Sequence, residues 1–215
     1  MNRFQWIKFI SSKRSTAAFC ETILPKPRPN LVVMLKDPRP GRVKTRLGRD
    51  IGMTAAAWWF RHQSATLLRR LDNPRWQLIL ALAPDTSVLT SRRWPTHLTR
   101  VPQGRGDLGE RMARQLRVLP GPTCIIGADI PGITPKHIVQ AFNALGTHDA
   151  VFGPAPDGGF WLVGMKHRPK PMLFKNVRWS TPHALADSIA TIPDARIATV
   201  ATLSDVDTAT DLARF

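Results

Sequence analysis

Four aspartates follow, or lie close to, short apolar runs of the kind that form buried strands. Asp129 comes after the run 123–127, Asp157 lies in a Gly-Pro-Ala-Pro-Asp-Gly-Gly segment, and Asp205 and Asp207 follow the last apolar run. Carboxylate oxygens are the ligands that Mg²⁺ and Mn²⁺ prefer, and such an ion holds and neutralises phosphate oxygens. The sequence therefore predicts two sets of residues. The metal ligands are Asp129, Asp205 and Asp207, and the catalytic carboxylates are Asp129 and Asp157.

A dense group of cations follows the first apolar run, 31–35. Residues 36–49 hold six Lys or Arg and one acid, together with Pro38, Pro40 and Gly41. A buried strand that leads into a basic loop and then a helix is typical of phosphate binding in α/β folds. The segment is not a P-loop, because Val43 precedes Lys44 where that motif requires glycine. The predicted phosphate ligands in the loop 36–47 are Lys36, Gly41, Arg42, Lys44 and Arg46.

A glycine-rich segment, 103–112, is the second candidate for nucleotide contact. Its three glycines follow the Gly-x-Gly-x-x-Gly spacing, which leaves backbone amides open to an anion. The segment does not follow the first strand of a Rossmann unit, so it is a weak dinucleotide fingerprint. Asp107 is expected to cap a helix over 108–119. The predicted nucleotide contacts here are Gly106, Asp107 and Arg111.

Strand and helix signals alternate along most of the chain. Apolar runs predict strands at 31–35, 76–83, near 98, and at 123–127, 149–153, 160–165 and 196–203. Helical spacing and caps predict helices over 54–71, 108–119, 134–145, 182–192 and 210–215. This alternation predicts a single α/β domain with a mostly parallel central sheet and helices on both faces. The strand ends that carry the cations and carboxylates would then face one cleft.

Composition limits the class of protein. The chain has 215 residues with 43% hydrophobic content, enough for one domain with an ordinary core. Residues 1–30 read as a basic N-terminal extension, expected to be flexible, and 31–215 as the domain. No apolar run approaches the ~18 residues of a membrane span. With only two cysteines, a reducing cytoplasm is the expected location.

The formal charge of +16 raises the possibility of nucleic-acid binding. The charge is not laid along one helix with interleaved aromatic residues. It is concentrated around the loop 36–47, which suits a compact polyphosphate better than a duplex. The sequence therefore predicts no nucleic-acid partner.

Two other kinds of catalytic site find no support. There is no Gly-x-Ser-x-Gly motif for a serine hydrolase. Cys124 lies in an apolar run and is expected to be a buried, unreactive thiol.

The order of the motifs is similar to that of a known family. The segments that carry the likeness, in chain order, are Lys-x3-Pro-Gly-Arg-Val-Lys-Thr-Arg-Leu (36–47), Gly-Asp-Leu-Gly-Glu-Arg-Met (106–112), Gly-Ala-Asp-Ile-Pro-Gly (127–132), Gly-Pro-Ala-Pro-Asp-Gly-Gly (153–159), Trp-Ser-Thr (179–181) and Asp-Val-Asp-Thr (205–208). Over 31–215 the chain resembles the cofC-like glycosyltransferases, also called radical-SAM/selenodomain-associated transferases type 1.

The resemblance implies a GT-A fold, that of nucleotide-diphospho-sugar transferases, and kinship with phospholactate guanylyltransferases and molybdenum-cofactor nucleotidyltransferases. It implies that the first strand's loop holds nucleotide phosphates and that Asp129 holds the divalent ion. One departure is Phe160, where the family usually has tyrosine after the two glycines. The extension 1–30 is also outside the family pattern.

Three functions are consistent with these features. A metal-dependent glycosyltransferase would use a nucleoside-diphosphate sugar and a small-molecule acceptor, and the family name favours it. A nucleotidyltransferase would join a nucleoside triphosphate to a phosphorylated small molecule and release pyrophosphate, which the number of loop cations favours. A nucleotide-binding regulator without catalysis is disfavoured, because every candidate carboxylate is present.

Overall fold

A computed structural model describes residues 28–215. Most of the predicted N-terminal extension, residues 1–27, lies outside these described residues. In chain order the strands are β1 (Asn30–Lys36), β2 (Gln77–Ala83), β3 (Thr99–Pro102), β4 (Thr123–Gly127), β5 (Ala150–Pro154), β6 (Phe160–Met165) and β7 (Ile197–Thr199). The helices are α1 (Thr45–Ile51), α2 (Met53–Leu71), α3 (Ser87–Thr90), α4 (Leu108–Val118), α5 (Pro135–Thr147), α6 (Ala184–Ala190) and α7 (Ala209–Leu212). None of these helices is long and apolar enough to cross a membrane.

The strands of the described residues form one sheet in the order β3-β2-β1-β4-β6-β5-β7. β1 is central and pairs in parallel with both β2 and β4, with Val32 opposite Ile79 on one side and Ile125 on the other. β6 is antiparallel to β4 and β5, whereas β7 returns to the parallel direction beside β5. The predicted mostly parallel sheet is thus confirmed. The carboxyl ends of β1, β4, β5 and β7 lie at the same edge.

Side chains of the strands point alternately to the two faces of the sheet, and each face packs against a layer of helices. Leu31 and Val33 pack in one core with α2 and α5, through residues such as Leu67 and Ile138. Val32 points to the other face and packs in a core that includes Met112 of α4. The predicted helices on both faces are therefore confirmed. Cys124 is fully buried, as expected, and burial raises the pKa of its thiol.

Some element boundaries were predicted wrongly. The basic loop ends at Lys44, because helix α1 begins at Thr45 and places Arg46 in its first turn. Gly52, with φ of 91°, separates α1 from α2, so the helix predicted from 54 is preceded by another. The last strand is only Ile197–Thr199, since it is an edge strand paired with β5 alone. The segment 200–207 is left free of regular structure and carries two of the predicted metal ligands.

Candidate active site

Three aspartates meet at the carboxyl edge of the sheet. Asp129 lies just after β4, and Asp205 and Asp207 lie in the segment that follows β7. One carboxylate oxygen from each lies within 4.8 Å of the others. The structure therefore brings together the three residues predicted as metal ligands, although they are far apart in the chain.

Val206 fixes the segment that carries two of these aspartates. Its side chain is fully buried and packs with Leu47 and Ala56, between α1 and α2. Its backbone N–H donates to the carbonyl of Asp129 at 3.3 Å. In the sequence Asp-Val-Asp, the valine side chain is therefore buried in the protein, and the carboxylates on either side of it point in the opposite direction. That alternation is what an extended backbone gives to successive side chains.

The ammonium group of Lys44 lies in the middle of the acidic cluster. Nζ is 2.6 Å from Asp129 Oδ2, 2.7 Å from Asp207 Oδ1 and 3.4 Å from Asp205 Oδ2. The Lys44 side chain is 7% exposed, so it is nearly enclosed by its partners. Arg46 adds a surface contact, from Nη1 to Asp207 Oδ2 at 3.0 Å. Two of the predicted phosphate ligands therefore contact the carboxylates in this state.

The backbone of Lys44 explains why its side chain points inwards. Lys44 adopts a left-handed conformation with φ of 44° and ψ of 49°, at the N-terminal boundary of α1. This conformation is uncommon for a residue with a Cβ and costs on the order of 1 kcal/mol. The ion pairs with Asp129 and Asp207 compensate for that cost. Local strain of this kind is typical of functional sites.

The charged groups of the cluster shift one another's pKa values. Burial alone would lower the pKa of Lys44, but Asp129 and Asp207 outweigh it and raise that pKa above its ordinary value. Burial raises the pKa of Asp205 to about 6, with Lys44 opposing the effect and the neighbouring aspartates adding to it. Burial also acts on Asp207, yet its bond to Lys44 and the charge of Arg46 keep its pKa below the usual range. Lys44 is thus charged, and the cluster is held together by it.

The acidic cluster fits a hard divalent cation. It offers three carboxylate oxygens within 4.8 Å of one another, with no nitrogen or sulfur ligand among them. This is the donor set of a Mg²⁺ or Mn²⁺ site that also takes phosphate oxygens. A cation ligated by all three residues would lie between them, where the Lys44 ammonium lies. Metal binding therefore requires Lys44 to move.

A groove of about 710 Å³ opens along the ends of β1 and β2 and the start of α4. Its cationic lining residues are Lys36, Arg39, Arg42, Arg105 and Arg111. Asp37 and Asp85 also line it, and Asp85 accepts a hydrogen bond from the Gly104 N–H at 2.9 Å. The size and charge of this groove suit a nucleoside bearing several phosphates.

The predicted phosphate ligands separate into three groups. Lys36, Arg42 and Arg111 line the groove. Lys44 and Arg46 contact the acidic cluster instead. The other three lie in turns, and none of them is among the groove's lining residues. They are Gly41 with φ of 73°, Gly106 with φ of 110°, and Asp107.

Asp107 has a structural role that was expected of it. Its side chain accepts the Glu110 N–H at 2.8 Å, and the Glu110 side chain accepts the Asp107 N–H at 2.9 Å. This capping box begins α4, and Arg111 Nε donates to the Gly106 carbonyl at 2.9 Å. The segment thus orients Arg111 at the groove wall. The Asp107 carboxylate is hydrogen-bonded within the protein, and Asp107 does not line the groove.

Sequence reasoning left Arg39 and Arg105 out of the predicted site. Both are cations beside residues that were chosen, so proximity along the chain was an available signal. Buried Asp37 orients Arg39 through a contact of 2.9 Å to Nε. The same carboxylate contacts Arg93 at 3.2 Å, and Arg93 lies far along the chain. That long-range contact had no signal in the sequence.

A second cavity, of about 240 Å³, lies on the other side of β1's end. Met34 lines this cavity, whereas Lys36, two residues on, lines the groove. Most of its lining is apolar, and five of its residues have polar side chains: Asp129, Asp157, Ser180, Thr181 and Asp205. None of the lining residues, all within the described part of the chain, is Lys or Arg. The residue that departs from the family pattern, Phe160, is in this lining.

Asp157 lies at the rim of the cavity, in the turn between β5 and β6. Its Oδ1 accepts the Gly159 N–H at 2.9 Å, so it also shapes the turn. Gly158, with φ of 84°, packs so closely that a Cβ there would come within 2.1 Å of the Pro182 carbonyl oxygen. Asp157 is exposed, and it lines the same cavity as Asp129. Its catalytic role stays a prediction.

Comparison with solved structures identifies the fold. The chain is similar to a candidate nucleotide-diphospho-sugar transferase from Desulfovibrio desulfuricans G20, with 28% identity, TM-score 0.78, and coverage of 86% of this chain and 85% of that one. It also matches 4-diphosphocytidyl-2C-methyl-D-erythritol synthase from Anaerococcus prevotii DSM 20548, at 10% identity and TM-score 0.56, over 87% and 96% of the two chains. A third match is Rv0371c from Mycobacterium tuberculosis H37Rv, solved as a complex with manganese, at 16% identity and TM-score 0.52, over 88% and 98%.

Comparison by sequence places the chain in a family. A comparison with curated proteins gives no match. The model of the family described as "Uncharacterized protein conserved in bacteria (DUF2064)" matches residues 66–181, more than half of the chain. The expected nucleotide-diphospho-sugar transferase fold is confirmed by the Desulfovibrio structure. The chain therefore belongs to the DUF2064 family and has the fold of nucleotide-diphospho-sugar transferases.

Proposed function

We propose that this protein is a metal-dependent glycosyltransferase that moves a sugar from a nucleoside-diphosphate donor to an uncharged acceptor hydroxyl. One observation carries the proposal: the two cavities that flank the end of β1 differ in charge. The groove has five cations, whereas the cavity has carboxylates at its rim and no Lys or Arg in its lining. A polyphosphate is favoured on the first side and a neutral group on the second.

The donor's diphosphate would bind in the groove. Lys36 and Arg42 follow β1, and Arg111 faces them from α4. Charge-assisted hydrogen bonds from such groups are short and strong, and arginine can bind two phosphate oxygens at once. The Desulfovibrio protein is described as a candidate nucleotide-diphospho-sugar transferase, and a CMP:2-keto-3-deoxy-manno-octonic acid synthetase of the same fold was solved as a complex with CTP.

The acidic cluster would complete the site between the cavity, which Asp129 and Asp205 line, and the groove, which the loop of Lys44 reaches through Lys36 and Arg42. A bound Mg²⁺ or Mn²⁺ on Asp129, Asp205 and Asp207 would stabilise the charge of the departing diphosphate. Lys44 would leave the carboxylates at that point and turn towards the phosphates, which lie on the side where β1 and its loop end. The ammonium then exchanges one set of anionic partners for another.

The transfer step forms one bond and breaks one. The acceptor oxygen forms a bond to the anomeric carbon of the sugar, and the bond between that carbon and the diphosphate oxygen breaks. The nucleoside diphosphate leaves with the bonding electron pair. The acceptor's hydroxyl proton passes to a carboxylate, for which Asp157 at the cavity rim is the candidate. A general base of this kind must lie within hydrogen-bonding reach of the hydroxyl.

Nucleotidyl transfer is the second candidate, since five cations in the groove also match the larger charge of a triphosphate. In that reaction a phosphorylated acceptor would attack the α-phosphorus, and pyrophosphate would leave. The acceptor phosphate would have to approach past Asp129, Asp157 and Asp205. Asp129 and Asp205 are paired with Lys44 or would ligate the ion, but the cavity lining has no Lys or Arg to hold the acceptor's phosphate, so we rank this reaction second.

A ligand panel tests the proposal. Thermal unfolding is measured with Mn²⁺ and each of several nucleoside triphosphates or nucleoside-diphosphate sugars. A ligand at about 100 times its dissociation constant stabilises by about 2.7 kcal/mol, which is easily seen. We expect a nucleoside-diphosphate sugar to stabilise most. Stabilisation by triphosphates alone would favour the second candidate, and no response to any nucleotide would contradict both.

A further inference from the structure

We propose that the acceptor is a small, uncharged alcohol or phenol whose body is apolar, held in the 240 Å³ cavity. That this ligand is the acceptor rests on the proposed function, whereas the cavity's preference for an apolar ligand rests on its lining, its size and the position of its polar groups.

The inner walls of the cavity are largely apolar. Ile125 and Val163 come from the sheet, and Met112 comes from α4. All three are at least 94% buried within the protein. Phe160 and Trp179 form an aromatic wall with ring centroids 6.2 Å apart, at an interplanar angle of 65°. A ligand in contact with this interior gains by burying apolar surface. The Trp179 indole N–H is buried and has no hydrogen-bond partner among the described residues, so the walls include one polar donor.

The aromatic wall is fixed rather than loosely packed. Phe174 stacks on Phe160 at 6.2 Å and meets Trp179 edge-on at 5.7 Å. Trp179 also lies against the backbone of α4, since a Cβ at Gly109 would come within 2.6 Å of its ring. Arg178, the preceding residue, is tied to Asp187 by two side-chain contacts of 2.8 Å. The cavity is therefore preformed.

The size and polarity of the cavity define the ligand class. A dry cavity of about 150 Å³ lined by apolar residues holds benzene. At about 240 Å³ this one has room for an aromatic ring or a branched alkyl group with a short substituent. Its polar side chains, Asp129 and Asp157 among them, are carboxylates and hydroxyls. They can accept or share a hydroxyl proton, and the lining has no Lys or Arg to pair with a phosphate or a carboxylate.

A sugar is a poorer fit for the same cavity. Each hydroxyl of a sugar needs a hydrogen-bond partner when it is buried, and most of the lining is apolar. This argues against the donor's sugar as the occupant, and it argues against a sugar acceptor seated fully inside. The favoured ligand has one hydroxyl directed at the carboxylates and its remaining atoms against Phe160 and Trp179.

Saturation-transfer NMR on the full chain with Mg²⁺ tests this assignment. The probes are benzyl alcohol, cyclohexylmethanol, glucose and phenyl phosphate, each with and without a nucleoside-diphosphate sugar. We expect the two alcohols to bind, with or without the nucleotide sugar, and glucose not to bind. Phenyl phosphate is expected to bind only among the groove cations and therefore not to displace benzyl alcohol. Displacement of benzyl alcohol by phenyl phosphate, or no binding of either alcohol, would overturn the proposal. Displacement of benzyl alcohol by the nucleotide sugar would do so too, because the cavity would then hold the donor.

Matched variants show whether binding occurs in the cavity. Trp179→Ala removes half of the aromatic wall and should weaken benzyl alcohol binding at least tenfold. Leu108→Arg, at a half-exposed lining position, adds a cation to the cavity. It should weaken the binding of both alcohols and allow phenyl phosphate to bind in the cavity. Leu89→Arg adds the same charge at a position that is 91% exposed and outside the cavity, and it should change nothing. Equal effects of the two arginine variants would contradict the assignment.

Failure of this inference and failure of the proposed function give different results. If the alcohols bind but no nucleotide does, the cavity is a ligand site and the transferase proposal is wrong. If a nucleotide sugar binds in the groove but no apolar alcohol binds, the transferase proposal stands and the ligand class is wrong.

Discussion

The ammonium nitrogen of Lys44 lies 2.6 Å from a carboxylate oxygen of Asp129, although the two residues are 85 positions apart in the chain. The same ammonium contacts Asp205 and Asp207. Lys44 thus acts as an internal cation for a cluster that also suits Mg²⁺ or Mn²⁺. The relationship links the phosphate loop to the metal ligands, and the first two predictions test it.

Removal of the internal cation should favour the metal. Lys44→Met keeps most of the side chain's volume and removes its charge, so the buried ammonium no longer competes with Mn²⁺ for the three carboxylates, and the surface contact of Arg46 with Asp207 is kept. We expect Mn²⁺ affinity without nucleotide to rise at least tenfold, about 1.4 kcal/mol, by calorimetric titration. Lys36→Met, which removes a groove cation, should leave Mn²⁺ affinity unchanged. Equal Mn²⁺ affinity in wild type and Lys44→Met would show that the ammonium does not compete.

Removal of a metal ligand should have the opposite effect. Asp129→Asn replaces a carboxylate oxygen by a much weaker amide ligand, and it should abolish the stabilisation that Mn²⁺ gives in thermal unfolding. Asp149→Asn makes the same change at a surface pair with Arg196 and should keep that stabilisation. If the shift persists in Asp129→Asn, then Asp129 is not a ligand.

The positions of the buried strands and the mostly parallel sheet could be predicted because they depend on local patterns. Buried strands such as 31–35 and 123–127 are continuous apolar runs, and parallel strands bring their carboxyl ends to one edge. The alternation of Asp205, Val206 and Asp207 was visible, but the burial of Val206 was not.

The contacts of Lys44 could not be predicted from the sequence. Its charge and its place in a basic loop indicate an anion, and both phosphate and carboxylate are anions. Its left-handed backbone at the start of α1 is unusual, because N-cap residues normally have an extended backbone. The boundary of a helix that lacks a side-chain cap has no clear signal. The aromatic wall likewise depends on distant residues, Phe160 and Trp179.

Val206 should contribute to both stability and metal binding. Val206→Ala removes about two buried methyl groups from the contact with Leu47 and Ala56. We expect a loss of about 2 kcal/mol in the free energy of unfolding, together with weaker Mn²⁺ binding. Chemical denaturation measures the first effect and calorimetry the second. Val118→Ala, at a position that is 68% exposed, should cost little. A loss of the same size at both positions would contradict the anchoring role.

The Arg178–Asp187 pair gives the Trp179 loop a defined response to acid. The bonds from Arg178 hold the pKa of Asp187 well below its usual range. A depressed carboxyl pKa adds stability above the ordinary value of 3.8, and this stability is lost as pH falls towards the lower folded-state value.

Asp187→Asn removes the titrating carboxylate, so its stability should fall less between pH 4 and pH 2 than that of the wild type. Denaturation at several pH values measures this, with Asp194→Asn, an exposed residue, as the control. If Asp187→Asn and the wild type lose stability in parallel over this range, the ion pair does not stabilise the fold.

Cations of the groove should contribute to nucleotide binding without supporting the fold. Arg42→Ala removes an exposed guanidinium that lines the groove. We expect about a tenfold loss in affinity for the nucleotide donor, since one charge-assisted contact is worth roughly 1.5 kcal/mol, with an unchanged unfolding temperature. Arg61→Ala, at an exposed position on α2 outside the groove, is the matched control. Equal nucleotide affinity in Arg42→Ala and wild type would remove Arg42 from the site.

The central claim is that a sugar is transferred and a nucleoside diphosphate leaves. The direct measurement is the identity of the phosphate product when the protein is incubated with Mn²⁺, nucleoside-diphosphate sugars and benzyl alcohol, and in parallel with nucleoside triphosphates and phenyl phosphate. The account predicts release of nucleoside diphosphate in the first mixture, with a glycoside of the alcohol, and no pyrophosphate in the second. Pyrophosphate release in the second mixture, with no diphosphate in the first, would contradict it.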